Sequence, residues 1–329
     1  MQADPPFVSI IIPVKNEERI LARCLDSIRD LDYPKDRFEV IVADSMTTDA
    51  SRHIAETYGA RVVPNRKGTV VAGRNRGFEA ARGEFIAFTD ADCVVSRDWL
   101  AAAVRAFDAD DIAGAGGVTI FPDDATEFQK AVNVLFAMAG LARSTSHLEN
   151  GPVRHAVDDI PGCNAFYRRS ALEKVMPVDE NLLTAEDVWM NRLLRRRGQR
   201  LMFSSEVRLW HHRRSRPAPF LRQMYRFAIG RLQAGKRDSS LLKPAHLLAG
   251  LGLPLLAAAA LAAHLCKLDA AVAAVLVILC AASAMYGIYR TRSVRAGLYV
   301  PAVLGMFLAA WSSGFLRELF FPLRNVDGK

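Results

Sequence analysis

Beyond Leu242 the chain carries three apolar runs, "AHLLAGLGLPLLAAAALAAHL" (Ala245 to Leu265), "DAAVAAVLVILCAASAMYGIY" (Asp269 to Tyr289) and "AGLYVPAVLGMFLAAWSSGFL" (Ala296 to Leu316). Each is close to the roughly 20 residues that take an α-helix across a bilayer. In hydrocarbon a helix satisfies its own backbone N–H and C=O groups, so these runs restrict the chain more than any other feature does. They predict three transmembrane helices; for the first, Gly252, Pro254 and His264 also fit a buried helical hairpin of a soluble domain. The turn "RTRSVR" between the second and third runs is strongly basic, whereas "CKLD" between the first and second is nearly neutral. Positive charge prefers the cytoplasmic side, which predicts a multi-pass protein of the cell inner membrane with its large N-terminal part in the cytoplasm and the tail "NVDGK" outside. The first apolar run, "FVSIIIPV", is too short for a signal peptide and is followed by charges.

The net charge of +8 suits either an anionic lipid surface or nucleic acid. With three spans and no nucleic-acid motif, lipid is the expected partner. The five cysteines, Cys24, Cys93, Cys163, Cys266 and Cys280, have no paired spacing and are expected as free thiols rather than a disulfide frame or zinc site.

The first hundred residues alternate between two periodicities. "FVSIIIPV" and "FEVIVAD" are β-rich, and between them Ile20, Leu21, Cys24, Leu25, Ile28 and Leu31 recur at helical spacing, with Asn16 as a candidate N-cap and Pro34 as the stop. The alternation continues through "ARVVP", "TVVAGRNRGFEAARG" and "EFIAFTD", predicting an α/β domain with a mostly parallel sheet. Such sheets bind ligands beyond the carboxyl ends of their strands, where Asp44 and the pair Asp90 and Asp92 fall. The pair also fits a solvated Asx turn, but two carboxylates one residue apart repel each other and are most easily kept by a cation. Neither G-x-x-x-x-G-K-[ST] nor G-x-G-x-x-G after a strand is present. A diphosphate here would need another counter-charge, and Mg²⁺ bound by one or two carboxylates supplies one.

In this order, "VSIIIPVKNEE", "VADSMTTDAS", "AGRNRGFEAARGEFIAFTDADC", "PGCNAFYRRSALEKV" and "LLTAEDVWMNRLLRRRGQRL" resemble the successive motifs of family 2 glycosyltransferases with a GT-A fold, over about Phe7 to His212. The following "RSRPAPFLRQMYRFAIGR" and the three spans resemble membrane-attached members that build exopolysaccharides or glycosylate lipids. The resemblance implies a UDP- or GDP-sugar donor, a divalent cation (Mg²⁺ or Mn²⁺), a lipid-linked or saccharide acceptor, and inverting single displacement. It makes Asp92 a direct metal ligand, with Asp90 its companion and His211 or its neighbour His212 a further contact. Pro13, Asn16, Glu17, Asp44, Arg74 and Asn75 become donor contacts, although Ser45 stands where the family often has a second acidic or amide residue. Gly162, Cys163 and Asn164 line the acceptor side, and Asp187 is the base, with Glu186 beside it. "TAEDVWMNRLLRRRG" also reads as a helix start with Thr184 as N-cap and acids that complement the helix dipole.

The Gln-x-x-Arg-Trp signature of processive synthases is absent, which points to one sugar per encounter. Phe220, Leu221, Met224, Tyr225, Ala228 and Leu232 form an apolar face at helical spacing, which predicts an interfacial helix beneath the headgroups, with packing in a protein core as the other reading. The expected organisation is a catalytic domain over 1–215, a juxtamembrane segment over 216–243, three spans over 244–322 and a tail over 323–329. Two other readings are a polyprenyl-phosphate glycosyltransferase of the dolichyl-phosphate-mannose synthase type and a catalytically silent membrane scaffold.

Overall fold

The computed structural model describes residues 4–138 and 153–323, which divide into two compact units: residues 4–120 with 153–211, and residues 121–138 with 212–323. The expected tail from 324 onward lies outside the described residues. The first unit is close to the expected catalytic domain, but it ends at His211 and gives up residues 121–138 to the second.

In the first unit β1 (Val8–Val14), α1 (Leu21–Arg29), β2 (Phe38–Asp44), α2 (Ser51–Thr57), β3 (Arg61–Pro64), α3 (Val70–Ala80) and β4 (Phe85–Thr89) follow the alternation read from the sequence. After them come β5 (Cys93–Val95), α4 (Trp99–Arg105) and β6 (Ile112–Ile120). α5 (Glu127–Met138) belongs to the second unit, and β7 (Arg154–Val157), β8 (Asn164–Arg168), α6 (Arg169–Leu172), α7 (Glu186–Arg196) and β9 (Arg200–His211) complete the first. The strands form one sheet in the order β3-β2-β1-β4-β8-β6-β9-β5, with β7 also paired to β9. β3, β2, β1 and β4 are parallel, as expected; β8, β5 and β7 run antiparallel to their neighbours, so the sheet as a whole is mixed.

The core sits on both faces of this sheet because successive strand residues point to opposite sides. Ile10 and Ile12 of β1 join Leu21, Cys24 and Ile28 of α1 and Trp99 of α4 in one buried cluster. Ile11, between them, joins Val71 of α3 and Met190 and Leu194 of α7 in the other. A strand buried on both faces reads as a continuous apolar run, as Ile10, Ile11 and Ile12 do.

The second unit is helical: α5, α8 (Pro217–Arg237), α9 (Pro244–Gly250), α10 (Gly252–Leu265), α11 (Asp269–Thr291) and α12 (Val294–Phe320). The last two are long and apolar enough to cross a membrane, with mean hydropathies of 2.3 and 1.5. The first apolar run is not one straight span: α9 and α10 are bent by 60° at Leu251. Proline at position 254 explains the break, since its ring clashes with the carbonyl four residues earlier, that of Gly250. Ser312 of α12 serves the disrupted backbone, its hydroxyl donating to the Gly250 carbonyl at 2.8 Å and accepting from the Leu253 N–H at 3.4 Å. Such repair is what a broken helix needs where water is excluded.

α8 also departs from expectation. Phe220 and Met224 are buried with Phe128 of α5 and Val300 and Val303 of α12, while Ala228 and Leu232 are buried with Trp311 and Phe315 of α12. The apolar face predicted to rest on headgroups is therefore covered by two helices of its own unit. Gly314 permits the approach, because a Cβ there would collide with the backbone of Tyr225.

Candidate active site

Val14 lies opposite Asp44 and Ile11 opposite Phe88, so the parallel strands β1, β2 and β4 bring Asp44 and Asp90 to one edge of the sheet. The loops after β1 and β2 are laced together there. Asn16 has φ 55°, a left-handed conformation that asparagine adopts more readily than most residues, and its Oδ1 accepts the Thr48 N–H at 2.8 Å. It is thus not the N-cap of α1, which begins after Ile20. The Glu17 N–H donates to Ser51 Oγ at 2.8 Å, and Asp44 Oδ1 accepts the Thr47 N–H at 2.9 Å. Pro13, the penultimate residue of β1, lies opposite Ala43. Arg52, which motif reading did not single out, lies 3.8 Å from the buried Asp44 carboxylate. Asn65 donates to Ser45 Oγ at 2.9 Å. Beside it opens a cavity of about 360 Å³, lined among others by Arg66, Lys67, Arg76 and Glu180. The basic run "NRK" after β3 was its available sequence signal.

Arg74 is the hub of the second cluster. It is 5% exposed. Its guanidinium bonds Asp90 at 3.2 Å and makes a short ion pair with Glu186, and it lies 5.4 Å from the Phe88 ring centre. Gly162 closes over it: any Cβ there would strike the guanidinium. Burial pushes Glu186 up to about 7, with Arg74 opposing and Asp187 adding to the rise. Asp90 is likewise pushed up to about 6 by burial, against Arg74, with Cys163 and Asp92 reinforcing the shift.

Ala185, at φ 67°, precedes α7 in place of the expected Thr184 cap, and no side chain caps the helix. Successive residues of a helix point in different directions, so Glu186 and Asp187 diverge. Glu186 turns inward to Arg74, whereas Asp187 Oδ2 accepts the Gly162 N–H at 2.9 Å. Asp92 and His211 meet through the pairing of β5 with β9, with His211 Nε2 3.2 Å from Asp92 Oδ1. Asp90, Asp92 and His211 each offer one ligand atom, and all lie within 4.8 Å of one another. His212 points elsewhere, its Nδ1 3.8 Å from Asp124.

Two expected contacts are occupied internally. Asn75 donates to the Val178 carbonyl and accepts the Val178 N–H, at 2.8 and 2.9 Å, which ties α3 to the loop before α7. Asn164 is fully buried, accepting Trp99 Nε1–H at 2.9 Å and donating to the Val118 and Val207 carbonyls. It is a pin inside the sheet rather than part of an acceptor surface. Gly162 and the partly buried Cys163, two residues and one residue earlier, stay beside Arg74 and Asp90.

The family model described as Glycosyl transferase family 2 matches residues 9–176. Glycosyltransferase AglE of Haloferax volcanii is 27% identical over 249 residues, covering 72% of this chain and 77% of that protein. The putative glycosyltransferase EpsH of Bacillus subtilis is 31% identical over 176 residues, 52% of this chain and 49% of that one. A beta-monoglucosyldiacylglycerol synthase of Nostoc sp. is 34% identical over 115 residues, 32% of this chain and 25% of the relative. The chain thus spans about half or less of the length of the latter two. Among solved structures, the mannosyltransferase PcManGT from Pyrobaculum calidifontis, in complex with GDP-Man and Mn²⁺, superposes with a TM-score of 0.67 at 23% identity, over 95% of this chain and 88% of that one. That likeness extends the match of fold to nearly the whole chain.

Proposed function

Because the chain belongs to glycosyl transferase family 2, we propose that it moves one sugar from a UDP- or GDP-sugar to a lipid-linked or saccharide acceptor at the cytoplasmic face of the inner membrane, by cation-dependent single displacement. The observation that carries this reading is the meeting of Asp90, Asp92 and His211 beside Asp187's partner Gly162 and the Arg74 hub. Two carboxylates and an imidazole suit Mg²⁺ or Mn²⁺. When bound, the cation supplies positive charge to the departing nucleoside diphosphate.

Asp187 takes the proton of the attacking group. Its Oδ2 is fixed by the Gly162 N–H and its Oδ1 by the Val188 N–H, yet a carboxylate has about four lone-pair sites and keeps capacity for the acceptor. Glu186, held against Arg74, leaves that task to its neighbour. Arg74 orients Asp90 and is a positioning residue. Asp44 and the loops after β1 and β2 receive the nucleotide. The two bilayer-length helices and the lipid-glycosylating name of one relative support a lipid acceptor.

The test is full-length protein in detergent with a panel of UDP- and GDP-sugars, Mn²⁺ or Mg²⁺, and acceptors that include a polyprenyl phosphate. Nucleotide release that needs both metal and acceptor supports the proposal. Failure to bind any donor overturns it in favour of a silent scaffold.

A further inference from the structure

Cys93 and Cys163 are 70 positions apart in sequence, and nothing in their spacing marks them as a pair. The fold brings both to His211. Cys93, the first residue of β5, lies directly opposite His211 of β9, and Cys163 immediately precedes β8. One ligand atom from each of the three lies within 4.8 Å of the other two. Neither cysteine is in a disulfide; Cys93 is buried and Cys163 partly accessible. All three are held by backbone: His211 and Cys93 by strand pairing, and Cys163 between Gly162, whose N–H bonds Asp187, and the internally pinned Asn164. Such rigidity is what a ligand set needs if it is to bind without first being ordered.

Their chemistry differs from that of the neighbouring carboxylates. Two sulfurs and an imidazole form a soft to borderline set that suits Zn²⁺ or Cd²⁺, and three protein ligands leave the fourth position of a tetrahedral ion to water. Asp90, Asp92 and His211 form the harder set, and His211 belongs to both. We propose that Cys93, Cys163 and His211 constitute a second cation site, selective for a thiophilic divalent ion, that competes with the carboxylate site for His211. Binding exchanges the two thiol protons for the metal, with no change of oxidation state. The thiophilic site requires only these three side chains; its competition with the harder ion rests on the functional reading above.

The experiment uses pre-reduced, full-length protein in detergent without oxygen, titrated with Cd²⁺ while thiolate-to-cadmium ultraviolet absorption is recorded. One Cd²⁺ per chain is expected. Cys163→Ser should weaken that binding by more than the roughly 10–100-fold that loss of an outer-shell partner costs, because a direct ligand is removed. Electron paramagnetic resonance of Mn²⁺ reads the competition: Cd²⁺ should release Mn²⁺ from the wild-type chain at near-equal concentration and from Cys163→Ser only at much higher concentration. Asp92→Asn should keep the cadmium absorption while losing Mn²⁺, which separates failure of this site from failure of the functional reading. Because a Cys163 variant could perturb the fold, Cd²⁺ protection of Cys163 from iodoacetamide is also measured on the wild-type chain by peptide mass. Absorption unchanged by Cys163→Ser, Cd²⁺ binding that leaves Mn²⁺ in place, or alkylation of Cys163 indifferent to Cd²⁺ would each overturn the proposal.

Discussion

At the scale of single residues, the proposed function gives Asp92 and Asp187 separable roles. Asp92→Asn should lower turnover by about 10²-fold or more, the loss typical of removing one electrostatic stabiliser of a transition state, and should abolish Mn²⁺ binding. Asp187→Asn should lower transfer by about 10²- to 10⁴-fold while sparing Mn²⁺ and nucleotide binding, since a base acts on the acceptor. Calorimetry with the nucleoside diphosphate checks this, and equal loss of affinity in both variants would remove the division of labour. Glu186 makes a prediction about pH. Its carboxyl is raised from 4.5 to about 7 in the fold, first by burial, so the folded chain holds a proton there that the unfolded chain releases. That contribution to stability is complete below about 4.5 and is lost as pH rises through about 7. Melting temperature across this window should fall less steeply in Glu186→Gln than in the wild type, even though the variant leaves Arg74 with a poorer partner and is less stable throughout. Parallel slopes would show that Glu186 does not titrate in this range.

At the scale of elements, α8 was legible as an amphipathic helix, but its partner was not. The 3.6-residue period of Phe220, Met224, Ala228 and Leu232 records only that one face avoids water. A lipid surface and two packed helices satisfy that requirement equally. Since Phe220 is fully buried among α5 and α12, Phe220→Ala should destabilise the protein by about 3 to 5 kcal/mol, whereas Phe227→Ser on the exposed side should stay within about 0.5 kcal/mol. Thermal unfolding in detergent distinguishes them, and two small, similar shifts would return α8 to the membrane surface. The first apolar run shows the same division. Its composition called for a helix, and Pro254 with its glycine neighbours marked a weak point. Only the packed structure shows that the chain bends by 60° there and that Ser312 of another helix bonds the Gly250 carbonyl.

At the scale of the molecule, orientation can be read from a native cysteine. Cys266 is exposed in the turn between α10 and α11, and the basic turn at the far end of α11 prefers the cytoplasm. A membrane-impermeant maleimide added to spheroplasts should therefore label Cys266 and lose its target in Cys266→Ser; labelling that required inverted vesicles would reverse the proposed topology. The sequence by itself determined the βαβ alternation, the acidic strand tips at Asp44 and Asp90, and three apolar runs of bilayer length, of which the structure makes two into single membrane-length helices. Each follows from local physical chemistry: strand and helix periods, turn residues, and the length of an apolar run. Only the tertiary structure decided that Arg74 is buried between Asp90 and Glu186, that Asn75 and Asn164 are internal pins, that α8 lies against α5 and α12, and that Cys93 and Cys163 meet at His211. A sequence period specifies which side of an element must be covered. What covers it, and which polar groups from distant segments satisfy one another there, is set only when strands such as β5 and β9 come into register.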